Sequence, residues 1–296
     1  METPGDFERC LRTTDVSCLG KQKGALHVLH LEPCHRIKRR LLEVFSIQFL
    51  GFTEHNFMRI FGTILLKTPT VPYMLFKHSI GHPQIIDQDG FVRLTGPERG
   101  IEANDDVSLI PILIHYAYAA FDRQPRHDIW RADMEGNVNL YDQLMVHRWE
   151  SIFGAMELNY AIYEDGAEAH LDVTFIDWEG EKVEVYGTVA VRNSKITDPK
   201  ARSLLFDSNS EEAISVHPGK VTHLPLLRQV TVLPLGSVLI VDVCLLHCGT
   251  IFAEGSVSFI ARSTGDEELI LVCHLGKIKV KVIWLNEKVH KEAGEN

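Results

Sequence analysis

No stretch of this sequence is both long and apolar enough to cross a bilayer as a helix. Such a span needs about 20 mostly apolar residues, whereas the longest uncharged run, Val107–Phe121, has 15 and holds Pro111 and His115. The next candidate, Gln229–Val241, is interrupted by Pro234 and Gly236. Residues 1–15 do not read as a secretory leader either: Asp6, Glu8 and Arg9 stand where its apolar core is expected. Glu2, Asp6, Glu8 and Asp15 make the start too acidic for a transit peptide. There is no Gly-x-Ser-x-Gly elbow, no phosphate-binding Walker loop and no His-Glu-x-x-His, which removes the commonest signatures of serine hydrolases, nucleotide hydrolases and zinc proteases. Positive charge is also in short supply. The net of −10 argues against phosphate-driven nucleic-acid binding.

Cysteine is sparse, with Cys10, Cys18, Cys34, Cys244, Cys248 and Cys273. Without a secretion signal, reduced thiols are the default. The first three lie in a segment with no fixed geometry to hold a bridge, which leaves Cys244–Cys273 or Cys248–Cys273 as the plausible pairing. The expected location is cytoplasmic or nuclear. A soluble chain of 296 residues, 45% hydrophobic and 24% charged, has the profile of about two ordinary globular domains.

Residues 1–40 lack periodicity and carry eight Lys/Arg against five Asp/Glu, a net of +3 that leaves −13 on the rest. They read as a flexible basic arm. Its run Arg36-Ile-Lys-Arg-Arg40 suits a nuclear signal or an anionic surface, or more plainly a solvated segment before the first strand. From residue 41 onward, short alternating runs predominate. Phe45, Ile47 and Phe49 alternate with Ser46 and Gln48, as a half-buried strand does. Val107–Tyr118 is long, and Ala117, Ala119 and Ala120 favour a helical end. The second half reads as strands at Glu157–Tyr163, Leu171–Trp178, Lys182–Arg192, Ser203–Phe206, Val221–Leu224, Gln229–Leu233, Val238–Leu246, Ser256–Arg262, Leu269–His274 and Lys277–Leu285. Many short strands with turn residues between them predict an all-β, antiparallel sandwich architecture.

The sequence also repeats itself. Ile60-Phe-Gly-Thr-Ile-Leu-Leu-Lys67 matches Val185-Tyr-Gly-Thr-Val-Ala-Val-Arg192, and Leu75-Phe76 matches Leu205-Phe206. Arg99 and Arg228 fall at equivalent places. The organisation expected is therefore an arm at 1–40, a first β-sandwich unit at 41–125, a linker at 126–154, a duplicated second unit at 155–286 and a tail at 287–296. Gly62 and Gly187 are expected to mark a bulge or a close backbone approach.

Phe45-Ser-Ile-Gln-Phe, Phe61-Gly-Thr-Ile-Leu, Asp89-Gly-Phe-Val-Arg-Leu-Thr-Gly-Pro-Glu-Arg-Gly100 and Met156-Glu-Leu-Asn-Tyr160 occur in an order that resembles a plant family abundant in grasses, catalogued as domain of unknown function 6598. The resemblance runs from about residue 41 to residue 286, and Leu94-Thr-Gly-Pro-Glu-Arg99 is its most specific piece. It implies a soluble protein of no established activity, with a link to stress or defence. Some members resemble companions of ribosome-inactivating domains. Lys67-Thr68 and Pro69-Thr-Val-Pro72 depart from the family's Arg-Asp and its following Asp-, Arg- and Cys-bearing loop, so no ligand role is carried over there. Glu211-Glu-Ala-Ile-Ser lacks the Arg of a ribosome-inactivating site.

Four further constellations come from the residues themselves. Cys244-x-x-x-Cys248 with His247 and Cys273-His274 is the nearest approach to a zinc set, but along a strand the two thiols stand roughly 13 Å apart. Buried thiols acting as small hydrophobes are expected instead. Asp165, Glu168, Asp172 and Asp177 crowd one hairpin and suit a calcium site or paired-carboxylate hydrolysis. Arg99 and Arg228 suit a repeated anion site or, more simply, bracing of backbone carbonyls. Trp149, Trp178 and Trp284 read as packing before they read as a sugar platform. The function expected is a non-catalytic binding or interaction protein without cofactor or metal, whose partner is a protein or small ligand and neither nucleic acid nor membrane. The alternatives are a carbohydrate- or phosphoester-directed hydrolase, or a partner of a ribosome-inactivating domain.

Overall fold

In the computed structural model, the residues described are 38–50, 58–68, 71–86, 89–103, 109–118, 126–132, 141–151, 154–178, 180–273 and 276–285. They form strands and no helix. The first half supplies β1 (Leu41–Leu50), β2 (Met58–Lys67), β3 (Pro72–His78), β4 (Gln84–Ile86), β5 (Ile101–Glu102), β6 (Leu109–Tyr118), β7 (Arg126–Ala132), β8 (Met145–Ser151) and β9 (Gly154–Tyr163). The second supplies β10 (Gly166–Ile176), β11 (Val183–Asn193), β12 (Ser203–Ser208), β13 (Ile214–Val216), β14 (Thr222–His223), β15 (Val230–Pro234), β16 (Val238–His247), β17 (Thr250–Ile260), β18 (Gly265–Val272) and β19 (Lys277–Leu285).

Alternation sets which face of each strand is buried. In β19, Ile278, Val280, Val282 and Trp284 turn inward and are at most 2% exposed, while Lys277, Lys279 and Lys281 turn out. Each inward side chain is worth about 1.5–3 kcal/mol of burial. The first sandwich pairs a sheet ordered β5-β1-β9-β8 with one ordered β3-β2-β6-β7, β4 lying beside β2. The second pairs β14-β10-β19-β18, with β15 on β10, against β12-β11-β16-β17, with β13 beside β11.

The Gly-Thr strands sit in the same register. Gly62, Thr63 and Ile64 face His78, Lys77 and Phe76, after which the ladder slips by one residue. Gly187, Thr188 and Val189 face Ser208, Asp207 and Phe206, and it slips there too. The slip leaves Leu75 and Leu205 as the extra residues of a bulge, so Leu75-Phe76 and Leu205-Phe206 are consecutive yet all buried. Each freed carbonyl takes a donor from further along the chain: Leu75 O accepts from Thr95 N (2.9 Å), and Leu205 O from Leu227 N (2.6 Å).

Several boundaries differ from expectation. The segment expected as a linker carries β7 and β8. Edge strands tolerate charge in place of apolar alternation, which is why Arg126–Ala132 reads as part of a linker. Glu157–Tyr163, expected to open the second unit, belongs to β9, which lies along β1 from Leu41↔Tyr163 to Leu50↔Ala155. β6 is strand through Tyr118, because β2 pairs with it as far as Met58↔Tyr118 and overrides the helical preference of Ala117; Ala119 and Ala120 lie outside the described residues. Of the expected arm, residues 1–37 lie outside the described residues. Lys38–Arg40 is no loose segment: Arg39 O accepts from Gly166 N (2.7 Å), Arg40 O accepts from Ala103 N (3.1 Å), and Lys38 pairs with Glu164 (2.7 Å).

The outer face of the β5-β1-β9-β8 sheet is covered by the second sandwich. Leu41, Phe45, Ala161 and Tyr163 from the first half pack with Ile196, Ala201 and Val232 from the second. A buried acid lies on each side of this seam. Glu43 on β1 accepts from Ser203 Oγ (2.6 Å), Thr231 Oγ1 (3.2 Å) and Val232 N (2.8 Å). It also meets Arg228 Nη2 at 3.2 Å. Burial pushes the Glu43 carboxyl up, and Arg228 and those three donors oppose it. Glu168 on β10 accepts from Arg39 Nη2 (3.0 Å) and pairs with His170 Nε2 (3.1 Å). Burial alone would raise its pKa, but His170, the Gly100 N–H and the Arg39 charge together hold it below the usual carboxylate range.

A depressed folded-state pKa stabilises the protein above the ordinary carboxylate value of about 4.3, and that contribution is lost as pH falls through the lower folded value. The Glu168→Gln variant should therefore be less stable at pH 7 by about 1–3 kcal/mol and converge on the parent as the pH is lowered. Urea midpoints measured from pH 7 to pH 3 test this, and parallel curves would refute it.

Candidate functional site

A groove with a volume of about 680 Å³ lies on the outer face of the β12-β11-β16-β17 sheet. Strand parity builds its floor. Leu239, Val241, Val243 and Leu245 of β16 fill the core, so Ile240, Asp242 and Cys244 point away from it. Across the ladder, Asp242 faces Ser256, Cys244 faces Glu254, and Ile240 faces Arg192 of β11. The wall is the connection from β11 to β12, residues 194–202, which contributes Ser194, Thr197, Asp198, Pro199 and Arg202.

Asp242 organises the floor. Arg192 Nε donates to its Oδ2 (2.9 Å) and Ser256 Oγ to its Oδ1 (2.6 Å). Partial burial would raise its pKa, but these two bonds and the charges of Arg192 and Arg202 hold it below the usual carboxylate range. A carboxylate so fixed stays ionised near neutrality and makes a poor general acid. It suits the role of a permanent acceptor between two guanidinium groups. The groove thus offers donors and acceptors of both signs beside the apolar Ile196, Ile240 and Pro199. Among the described residues, no three His, Cys, Asp or Glu side chains converge to hold a metal ion.

The acids singled out in the sequence do not converge. Asp165 precedes β10 and Asp177 follows it, so the eleven-residue strand, itself roughly 33 Å from end to end at its usual rise, lies between them. Asp177 pairs with Lys277 (2.9 Å). Asp172, on the exposed face between them, accepts from His223 Nδ1 (3.0 Å) and Thr174 Oγ1 (3.3 Å).

The two matched arginines differ in surroundings. Arg228 is buried, and its Nη1 donates to Val44 O (2.8 Å), which is the bracing reading. Arg99 is exposed, with its guanidinium over the Tyr73 ring at 5.3 Å. Gly187 serves a close approach: a Cβ there would stand 2.3 Å from Cys244 O, at a φ of +129°. Gly62 holds the matching position at a φ of +109°. Trp178 and Trp284 are buried packing residues, as expected; the side chain of Trp149 lies outside the described ones.

The cysteines correct an expectation. Cys244, Cys248 and Cys273 are free thiols, but Cys244 and Cys248 are exposed and Cys273 is half-buried. Parity turns Cys244 into the groove, and Cys248 sits at the β16–β17 turn with a φ of +48°. Sequence reasoning passed over Arg192, Arg202, Asp242 and Ser256. One signal was available: Asp242 is the only charged residue in Val238–Leu246, and a lone charge in an apolar strand needs a partner.

Residues 41–282 match a family described as a domain of unknown function (DUF6598). No curated protein matches the chain. Among solved structures, it is similar to human GIVD cytosolic phospholipase A2, at 9% identity and a TM-score of 0.23 over 84% of this chain, and spans 32% of that one. It is also similar to a structure of two C2 domains of Extended-Synaptotagmin 2, at 8% identity and a TM-score of 0.24, covering 90% of this chain and 97% of that one.

Proposed function

The chain belongs to the domain of unknown function (DUF6598) family, and from that premise we propose that it is a non-catalytic binding module whose ligand occupies the groove around Asp242. The observation that carries this reading is the arrangement of Arg192, Asp242 and Ser256, a pre-set polar floor in a groove of about 680 Å³. Sites that bind without reacting need such fixed donors and acceptors and no activated nucleophile. The hydrolase alternative draws no support from Asp165, Asp172 and Asp177, which stand apart along β10. On the resemblance noted in the sequence, we further propose a plant protein of stress or defence, working in the cytoplasm beside a protein partner or small ligand. Descent of both sandwiches from one duplicated unit belongs to the same proposal, supported by their equal strand order and the shared slip after Gly-Thr.

Cys244 supplies the test, because it lies in the groove while Cys248 lies about 13 Å further along the chain. Native protein is treated with N-ethylmaleimide alone and with neutral oligosaccharides, sugar phosphates or short mixed-charge peptides. At least one class should slow labelling of Cys244 threefold or more while leaving Cys248 unchanged, and Arg192→Ala should remove that protection. Failure of every class to protect Cys244 would overturn the groove as the site. Turnover of a nitrophenyl glycoside or phosphate that Asp242→Asn abolishes would overturn the non-catalytic reading.

A further inference from the structure

The groove has one wall that does two jobs. The connection between β11 and β12 runs over nine residues, 194–202, whereas the corresponding connection between β2 and β3 takes four, 68–71. Nine residues exceed the two to five of an ordinary hairpin loop, and the surplus reaches across to the first sandwich. Ser194, Thr197, Asp198, Pro199 and Arg202 line the groove. From the same stretch, Ile196 and Ala201 are buried in the seam with Phe45, Ala161 and Tyr163.

Polar contacts fix the same segment. Asn193 Nδ2 donates to Tyr163 Oη (3.0 Å), and Asn193 Oδ1 accepts from Lys195 N and Ile196 N (2.9 Å each), which sets the start of the wall. Lys200 Nζ donates to Glu157 Oε1 (2.7 Å) near its end. The second sandwich holds the wall mainly at its root, where Ser194 N donates to Val238 O (2.9 Å) and Val238 N to Ser194 Oγ (3.1 Å).

We infer that Tyr163 and Glu157 of the first sandwich are positioning residues for the groove, so that docking of the two sandwiches and occupancy of the groove are coupled. The inference rests on the groove being the binding site. Neither residue touches the groove; each acts through the wall. A ligand that needs the wall in place draws its position partly from the seam, and by reciprocity it tightens the seam when it binds. Removing one contact loosens the wall without emptying the core of either sandwich, because Lys200 is half exposed and the Tyr163 ring stays in place when only its hydroxyl is lost.

The test uses the full chain with no added ligand, so it can fail independently of the binding reading. Tyr163→Phe and Lys200→Met are compared with the parent by hydrogen exchange and by thiol labelling. Amide exchange at Ile196 and Ala201 should rise about fivefold or more, while β19 amides stay within twofold. The labelling rate of Cys244 relative to Cys248 should shift by at least threefold in the same variants. Combining Lys200→Met with Glu157→Gln should add little to either single change, since both remove one contact. Unchanged wall exchange and an unchanged Cys244 ratio in both single variants would overturn the coupling. Equal acceleration everywhere would overturn it as well, by showing general destabilisation in place of wall release.

Discussion

Replacing Arg228 with Met should cost about 3–5 kcal/mol of stability at pH 7, the usual penalty for stripping the partner from a buried charge. The Arg228 side chain is 0% exposed and that of Glu43 3%, so water cannot stand in for either. The substitution leaves Glu43 with three donors and no cation, and takes the Nη1 donor from Val44 O. The loss has a predicted pH dependence. Without the cation, burial raises the folded-state pKa of Glu43 further, so the folded form binds a proton that the unfolded form has released. Stability of Arg228→Met relative to the parent should therefore fall as pH rises from the parent's own folded value, already above the ordinary carboxylate value of about 4.3, through the higher value in the variant, and level off above it. Adding Glu43→Gln keeps an acceptor for Ser203, Thr231 and Val232 N while removing the charge, and should recover a large part of the loss. Urea unfolding of the single and double variants at pH 5 and pH 7 measures all of this. A single variant within 1 kcal/mol of the parent at pH 7, with no difference at pH 5, would show that the pair is not the seam's electrostatic anchor.

The second large effect belongs to Gly187. Alanine there meets the Cys244 carbonyl oxygen at 2.3 Å and Leu245 Cα at 3.0 Å, both fixed by the β11–β16 ladder. Because the obstruction is backbone, relief requires the two strands to part at the centre of the sheet. Its φ of +129° adds strain that an L side chain carries poorly. A loss of at least about 2 kcal/mol is expected. Gly236 is the control: its φ is +71°, but no atom lies within 4 Å of an added Cβ, so Ala there should cost only the conformational term of about 1–2 kcal/mol. Chemical denaturation of both variants separates clash from conformation. Equal losses at the two positions would mean that the ladder gives way more easily than its geometry implies.

Much of the architecture could be read from period-two alternation, since each strand has one dry face and its inward residues recur every second position. The Gly-Thr repeat also pointed to strands that do occupy matching registers. What alternation could not supply was partnership. Glu157–Tyr163 reads as the opening of a second unit, because nothing local says that this strand returns to one more than a hundred residues earlier. The seam was hidden for the same reason. Glu43 is a single acid in Leu41-Leu-Glu-Val-Phe45, and its cation stands at 228.

The candidate site was less legible still. Asp165, Asp172 and Asp177 drew attention as neighbours in sequence, yet an extended strand spreads neighbours apart, while Arg192, Asp242 and Ser256 meet across three strands. A composition-rich window is therefore a poor guide to a site on a sheet face, where the closest neighbours lie on adjacent strands.

The pairing of β1 with β9 also determines the order in which a nascent chain can complete itself. The opening strand leaves the ribosome long before its partner, since Leu41 waits for Tyr163 and Leu50 for Ala155. Until then its ladder groups remain open on that side, and closing such a distant contact is slow relative to local hairpins. Glu43 waits longer, for Ser203, Arg228 and Val232, the last two of which emerge only when more than half of the second sandwich is made. An ionised side chain is at ease in water during that interval, whereas a leucine at the same place would leave a fully apolar edge exposed to neighbouring chains. An acid that is buried in the finished seam is thus the residue that interrupts the apolar run Leu41–Phe45 while the remainder is synthesised.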